Sequence, residues 1–160
     1  MPCLYRRFAM VAMLLLAAGV APAAAQVASV KDPWVRATTP RQKSSSAYME
    51  ITAARAGRLV EAVSSVAGIV EIHEMRMDKD MMRMRAVPAL DLPAGQPVAL
   101  EPGGFHIMLM DLKVQLKKGD QVPITLIIEL RNGTRQSVDI SASVRAPQAS
   151  GAEGGKSHSH

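Results

Sequence analysis

Two runs of β-forming residues joined by an Asn-Gly turn constrain the fold of this chain more than any other feature. The first run, QVPITLIIEL (121–130), is β-branched and alternates at its start, and the second, RQSVDISASVR (135–145), has apolar residues at period two from Val138 to Val144. Asn132-Gly133 between two such runs predicts a β-hairpin, because Asn and Gly tolerate the positive φ angles of tight hairpin turns.

Short apolar stretches broken by turn signals continue through the chain from about residue 28 to 146. SSAYMEIT (45–52) alternates, and LEPGG (100–104) and KKGDQ (117–121) have turn composition. Many short strands separated by Gly, Pro and Asn predict an all-β chain, a single-domain antiparallel β-sandwich or barrel.

The first 25 residues have the composition of a secretory signal. Arg6 and Arg7 precede an apolar run, and Ala23-Ala24-Ala25 offers a small-residue cleavage site. The apolar run is shorter than the ~20 residues of a spanning helix. We therefore predict a signal peptide at 1–25, a periplasmic location and no membrane span after cleavage.

Cleavage would leave one domain at 26–146 and a tail at 147–160, which is rich in Ala, Gly and Ser and is predicted to be disordered. It would also remove the only cysteine, Cys3, so the domain has no disulfide and no thiolate ligand. The formal charge falls from +5 to +3 with the loss of two arginines, and the remaining charges are mixed. With few aromatic residues as well, this composition argues against nucleic-acid binding.

Two short segments concentrate methionine and histidine. HEMRMDKDMMRM (73–84) and HIMLM (106–110) contain seven of the eleven methionines and the only two histidines of the predicted domain. One interpretation of the first segment is a helix, with His73, Met77, Met81 and Met84 along one stripe and the methionines as core filler.

The other interpretation of the first segment is a β-hairpin turning at 78–80. With Lys79-Asp80 as the loop, Met77 would face Met82, Met75 would face Met84, and His73 would lie diagonally from Met84. The β-branched lead-in VSSVAGIVEI (63–72) favours this hairpin.

The second segment alternates strictly, so that His106 and Met108 share the face opposite to Ile107 and Leu109. Imidazole and neutral thioether together suit Cu(I), whereas zinc and hard cations prefer thiolate, imidazole or oxygen. The residues thus indicate a Cu(I) site without cysteine, but packing of the methionines in the core or on an interaction surface remains open.

A family resemblance appears in the spacing of these residues. His73, ten residues, Met84, twenty-one residues and His106-x-Met108 match the signature of the periplasmic copper chaperones called PCuAC. DPWVRA (32–37), SAYM (46–49) and the segment 106–130 also resemble that family, and the similarity covers roughly residues 30–145. TAARAGR (52–58) departs from it, because the family usually has an Asn-containing loop there.

The resemblance implies a cupredoxin-like Greek-key β-sandwich that binds one Cu(I) through His73, Met84, His106 and Met108. It implies a copper chaperone, not an enzyme, that delivers copper to the dinuclear copper centre of cytochrome c oxidase subunit II. A thioredoxin-fold, Sco-like protein is the second expected partner, copper tolerance or sequestration is the alternative role, and we expect a monomer.

Three further possibilities come from the residues themselves. His158 and His160 in the tail are candidates for an auxiliary Cu(II) site, or they belong to a solvated tail. A structural interaction module with a Met-rich face is the main rival function. An enzyme is disfavoured, because the sequence offers no nucleophile–base arrangement and Gln26, not histidine, would be the new N-terminus.

Overall fold

The computed structural model describes residues 26–146, which form ten β-strands and no helix. This part of the chain accordingly contains no helix of the length and hydropathy needed to cross a membrane. The predicted signal peptide at 1–25 and the tail at 147–160 lie outside the described residues. The strands are β1 Ala28–Arg36, β2 Ser44–Ala53, β3 Gly57–Val63, β4 Ala67–Asp78, β5 Met81–Ala86, β6 Leu90–Leu92, β7 Pro97–Leu100, β8 Phe105–Leu112, β9 Gln121–Leu130 and β10 Arg135–Arg145.

All ten strands belong to one sheet in the order β5-β4-β8-β2-β1-β10-β9-β3-β6, with β7 paired to β2. Strands that are distant in sequence are neighbours, such as β4 with β8 and β3 with β9. The β1–β10 pair is parallel, and the other pairs of these strands are antiparallel. The strand path does not close on itself, so the molecule is an open sandwich and not a barrel.

The core lies between the two halves of this sheet. Period-two alternation on β9 sends every second residue inward, from Val122 to Leu130. Ile72, near one end of the strand order, and Leu90, at the other end, belong to the same buried cluster. The sheet therefore folds over onto itself, which confirms the prediction of an all-β, cupredoxin-like sandwich.

The β9–β10 hairpin confirms the Asn-Gly prediction, with a loop longer than two residues. The Gly133 amide donates to the Leu130 carbonyl at 2.9 Å, and the Leu130 amide donates to the Thr134 carbonyl at 2.8 Å. Gly133 has φ of 81°, the left-handed conformation that a three-residue hairpin loop requires.

The segment 73–84 is a β-hairpin, and the helical interpretation is wrong. Met77 pairs with Met82, and Met75 pairs with Met84 across β4 and β5, in the predicted register. Lys79 and Asp80 have φ of 46° and 67°, so both central residues of the two-residue turn are left-handed, as in a type I′ turn.

Candidate metal centre

Two histidines face each other across the β4–β8 pair. His73 and His106 are direct cross-strand partners, and their ring centroids lie 5.8 Å apart at an interplanar angle of 54°. His73 is 9% exposed and His106 is 4% exposed. Both imidazoles are therefore buried in the fold.

The two predicted methionines flank this histidine pair on the same face. Met84 on β5 is two residues from Ala86, the partner of His73, while Met108 on β8 is two residues from His106. Because side chains two residues apart share a face, the register brings all four predicted residues to one side of β5–β4–β8. Met84 and Met108 lie on opposite sides of the histidine pair along the strand direction.

The two thioethers differ in exposure. Met84 is 48% exposed, whereas Met108 is half-buried. The Ser46 hydroxyl on β2 donates to the Met108 sulfur at 3.7 Å. Met108 is thus held against its neighbouring strand, while Met84 is open to solvent.

Hydrogen bonds define which imidazole nitrogens carry a lone pair in the neutral rings. Glu71 Oε2 lies 2.8 Å from His73 Nε2, and the Gly104 carbonyl oxygen lies 3.3 Å from His106 Nδ1. A carboxylate and a carbonyl only accept, so these two nitrogens donate. The lone pairs are left on His73 Nδ1 and His106 Nε2.

One of these lone-pair nitrogens has no partner within the described part of the chain. His73 Nδ1 is buried and makes no hydrogen bond there. A buried polar atom normally finds a partner, and leaving one without costs about 1–3 kcal/mol. An orphaned nitrogen beside a second imidazole and two thioethers fits the ligand requirements of Cu(I).

The electrostatics of His106 favour the neutral ring that a metal requires. Burial lowers the pKa of His106 below its usual value, outweighing the opposite effect of its hydrogen bond to the Gly104 carbonyl. The nearby His73 and Arg36 lower this pKa further. His106 therefore stays unprotonated to a lower pH than a solvent-exposed histidine.

An aromatic ladder extends from the histidine pair toward β1. The Tyr48 ring centroid lies 6.2 Å from that of His106, and the Trp34 ring centroid lies 4.5 Å from that of Tyr48. The Arg36 guanidinium lies 5.9 Å from the Tyr48 ring centroid and donates to its hydroxyl at 3.4 Å. This ladder forms one wall of the site and keeps water from His106 on that side.

The sequence patterns did not identify Glu71, Ser46 and Tyr48 as parts of the site. The signal for Glu71 was its position two residues before His73, which places both on one face of β4. Ser46 and Tyr48 could not be found in this way, because they enter through the pairing of β2 with β8. The predicted auxiliary residues His158 and His160 lie outside the described residues.

The candidate site brings two thioethers together with its two imidazoles. Within residues 26–146 no group of three or more His, Cys, Asp or Glu side chains is placed to hold a metal ion. The fold and this site define the class: a cupredoxin-like β-sandwich with a histidine pair and flanking thioethers on one sheet face.

Similarity to known proteins narrows this class to one family. Residues 28–142 match the family model described as "Putative lipoprotein LpqE-like". The chain therefore belongs to the LpqE-like family.

Two relatives align over much of the chain. An uncharacterized protein of Rickettsia prowazekii, RP573, is 34% identical over 74% of this chain and 67% of its own length. A protein of Leifsonia xyli described as a lipoprotein, Lxx21020, is 33% identical over 61% of this chain, and the match spans only 59% of that relative.

Solved structures of PCuAC domains share the fold. The copper-bound PCuAC domain from PmoF2 aligns with a TM-score of 0.61 and 27% identity, over 76% of this chain and 95% of that domain. DR1885 from Deinococcus radiodurans aligns in its Cu(I) form with a TM-score of 0.56 and 31% identity, over 77% of this chain and 83% of DR1885. The resemblance to PCuAC proteins that the sequence indicated is thus confirmed at the level of family and fold.

Proposed function

We propose that this protein is an exported Cu(I) chaperone that binds one ion through His73, Met84, His106 and Met108. The observation that carries the proposal is the buried pair of imidazoles, one of them with an unpartnered Nδ1, flanked on one face by two thioethers. The similarity to PCuAC domains in copper-bound and Cu(I)-bound forms supports the same metal.

The unequal exposure of the ligands suggests how the ion is released. All four proposed ligands are neutral as donors, so no ligand charge attracts the cation. Exchange with another soft ligand therefore has a low free-energy cost. Met84 is the open side of the site and Met108 is held by Ser46. An acceptor's ligand would replace Met84 first, while the buried imidazoles keep the ion in place.

The acceptor and the location are proposals from the family resemblance. Export is supported by the predicted signal at 1–25 and by the lipoprotein description of the family. The dinuclear copper centre of cytochrome c oxidase subunit II, with a Sco-like thioredoxin-fold partner, is the proposed destination. Deleting the gene should lower cytochrome c oxidase activity under copper limitation, whereas copper sensitivity with normal oxidase activity would favour the tolerance role.

Anaerobic Cu(I) titration against a chromophoric chelator tests the ligand set. We expect Met84→Leu with Met108→Leu to lower Cu(I) affinity by more than about tenfold, equivalent to about 1.4 kcal/mol, because two of four donors are lost. Met110→Leu is the matched control, since Met110 lies on β8 beyond Met108 and is not among the proposed ligands. X-ray absorption should show mixed nitrogen and sulfur coordination, and nitrogen-only coordination would exclude this site.

A further inference from the structure

Four methionines occupy the most exposed part of the hairpin. Met77, Met81, Met82 and Met84 are between 48% and 61% exposed. The sequence left open whether such residues are core filler, and their exposure excludes packing in the core. Met84 belongs to the proposed copper site, so the remaining methionines need a separate explanation.

Register assigns these methionines to different faces of the hairpin. Met75, Met77 and Met82, here called the hairpin triad, share the face of His73. Met81 pairs with Asp78 on the opposite face. That opposite face also has ion pairs, Arg85 with Glu74 at 3.0 Å and Arg83 with Asp78 at 3.3 Å. One face of the hairpin is therefore charged and the other consists of thioethers.

The hairpin triad has the spacing of a three-coordinate site. Met77 and Met82 are direct cross-strand partners, whose Cβ atoms lie about 5 Å apart in antiparallel pairs. Met75 is two residues from Met77 on β4, a strand distance of about 6.7 Å. Methionine side chains are long and flexible enough for three sulfur atoms at such positions to converge on one ion.

The backbone holds the hairpin triad in this arrangement without any ligand. The left-handed Lys79 and Asp80 close the turn in two residues, which places Met77 directly opposite Met82. The Met75 amide donates to the Gly104 carbonyl at 3.0 Å, which ties this part of β4 to the chain beside β8. Only side-chain rotation is then needed to bring the sulfur atoms together.

From this arrangement we infer that Met75, Met77 and Met82 form a second Cu(I) site that uses thioether ligands alone. Neutral sulfur selects a soft monovalent cation over zinc, calcium or magnesium. Met77 and Met82 lie farther toward the hairpin tip than Met84, whereas Met75 lies directly opposite Met84. The second site binds more weakly than the first, because it has no imidazole. An incoming Cu(I) ion binds at this second site first and is then transferred to Met84.

Counting bound Cu(I) tests this inference on the full chain. Cys3→Ser, His158→Ala and His160→Ala form the background, so that neither the cysteine nor the tail imidazoles contribute. We expect two equivalents of Cu(I) in this background and one equivalent after Met77→Leu with Met82→Leu. Met81→Leu is the matched control, equally exposed but on the charged face, and should retain two equivalents.

The first and the second proposed Cu(I) site can be tested independently of each other. His73→Ala with His106→Ala should remove the first site and leave one equivalent with sulfur-only coordination in X-ray absorption. Methyl NMR signals of the hairpin triad should shift with the second equivalent of Cu(I) in the unsubstituted hairpin. A single equivalent in the background chain, or a second equivalent that survives Met77→Leu with Met82→Leu, would overturn the inference. Unchanged methyl signals would do the same and would leave the exposed thioethers as a protein-contact surface.

Discussion

Glu71 is positioned to orient His73 and to select its tautomer. Its carboxylate lies 2.8 Å from His73 Nε2 and leaves Nδ1 as the lone-pair nitrogen. Carboxylates that hydrogen-bond a ligand histidine usually raise its basicity and hold its ring, and their loss weakens metal binding.

We therefore expect Glu71→Gln to lower Cu(I) affinity about tenfold, because an amide can donate or accept and no longer selects one tautomer. Glu74→Gln is the control, since Glu74 bonds Arg85 on the other face of β4. Chelator competition measures the effect, and equal affinity of the two variants would exclude an orienting role for Glu71.

His106 should titrate below its usual pKa in the metal-free protein. Burial is the main cause, with His73 and Arg36 adding to it and the Gly104 carbonyl opposing it. Histidine ring NMR signals recorded against pH measure this directly, and a midpoint at or above 6.5 would contradict the prediction.

The same shift makes the metal-free protein less stable in mild acid. Below the ordinary histidine pKa the unfolded chain takes up a proton that folded His106 resists, so the contribution of His106 to stability is present at neutral pH. This contribution is lost as the pH falls toward the folded pKa. Denaturant midpoints at several pH values should follow this direction, and His106→Gln should reduce the slope.

Among the elements, the β4–β5 hairpin is closed by a turn in which Lys79 adopts an unfavourable left-handed backbone conformation. Lys79 has φ of 46°, a conformation that costs a residue with a Cβ about 1–2 kcal/mol. Lys79→Asn with Asp80→Gly supplies the residues that type I′ turns prefer. We expect the double substitution to raise the free energy of unfolding by about 1 kcal/mol, measured by denaturant unfolding.

Replacing Lys79 by proline should destabilise the same turn. Lys79→Pro forces φ to about −65°, which is incompatible with this turn, and should disrupt the pairing of Met77 with Met82. Both proposed copper sites would then weaken together, while the rest of the sandwich stays folded. If Lys79→Pro left Cu(I) binding unchanged, the hairpin would have no part in either site.

At the scale of the whole molecule, one core holds both halves of the folded sheet together. Leu126 and Ile128 on β9 are fully buried within it. Leu126→Ala should lower the free energy of unfolding by about 2–5 kcal/mol, because it leaves a cavity that neighbours fill only partly. Thermal or denaturant unfolding checks this, and the exposed Val114→Ala should change stability far less.

Metal binding should also stabilise the whole fold. A ligand that binds only the folded state adds about 2.7 kcal/mol when its free concentration is one hundred times Kd. Anaerobic Cu(I), or Ag(I) as a soft surrogate, should raise the melting temperature of the wild-type protein. Only a small rise should remain after His73→Ala with His106→Ala, and an undiminished rise would place the main site elsewhere.

Much of the architecture could be predicted from local patterns. The alternation in 121–130 and 135–145, the Asn132-Gly133 turn and the register of Met75 with Met84 depend on residues close together in sequence. The same holds for the placing of His106 and Met108 on one strand face. Period-two alternation and turn chemistry act within a few residues, so both can be recognised in a single sequence.

Other parts of the candidate site required the tertiary structure. The helical alternative for 73–84 was excluded by the pairing of β4 with β5, and the burial of both histidines follows from the pairing of β4 with β8 and from the neighbouring β2. The Ser46–Met108 contact, the Tyr48 wall and the orphaned nitrogen of His73 join segments that are far apart in the chain. The parallel β1–β10 pair likewise joins segments that are far apart in the chain.

Local sequence patterns thus predicted the β-sandwich class, the Asn132-Gly133 hairpin and the candidate imidazole and thioether ligands, because composition and periodicity are properties of neighbouring residues. Three features required the folded structure: His73 faces His106, both are buried, and Met84 alone of the four predicted ligands is broadly exposed. Burial and the direction of a side chain depend on which strands the fold brings together, and pairing between distant strands is set by the packing of the whole core.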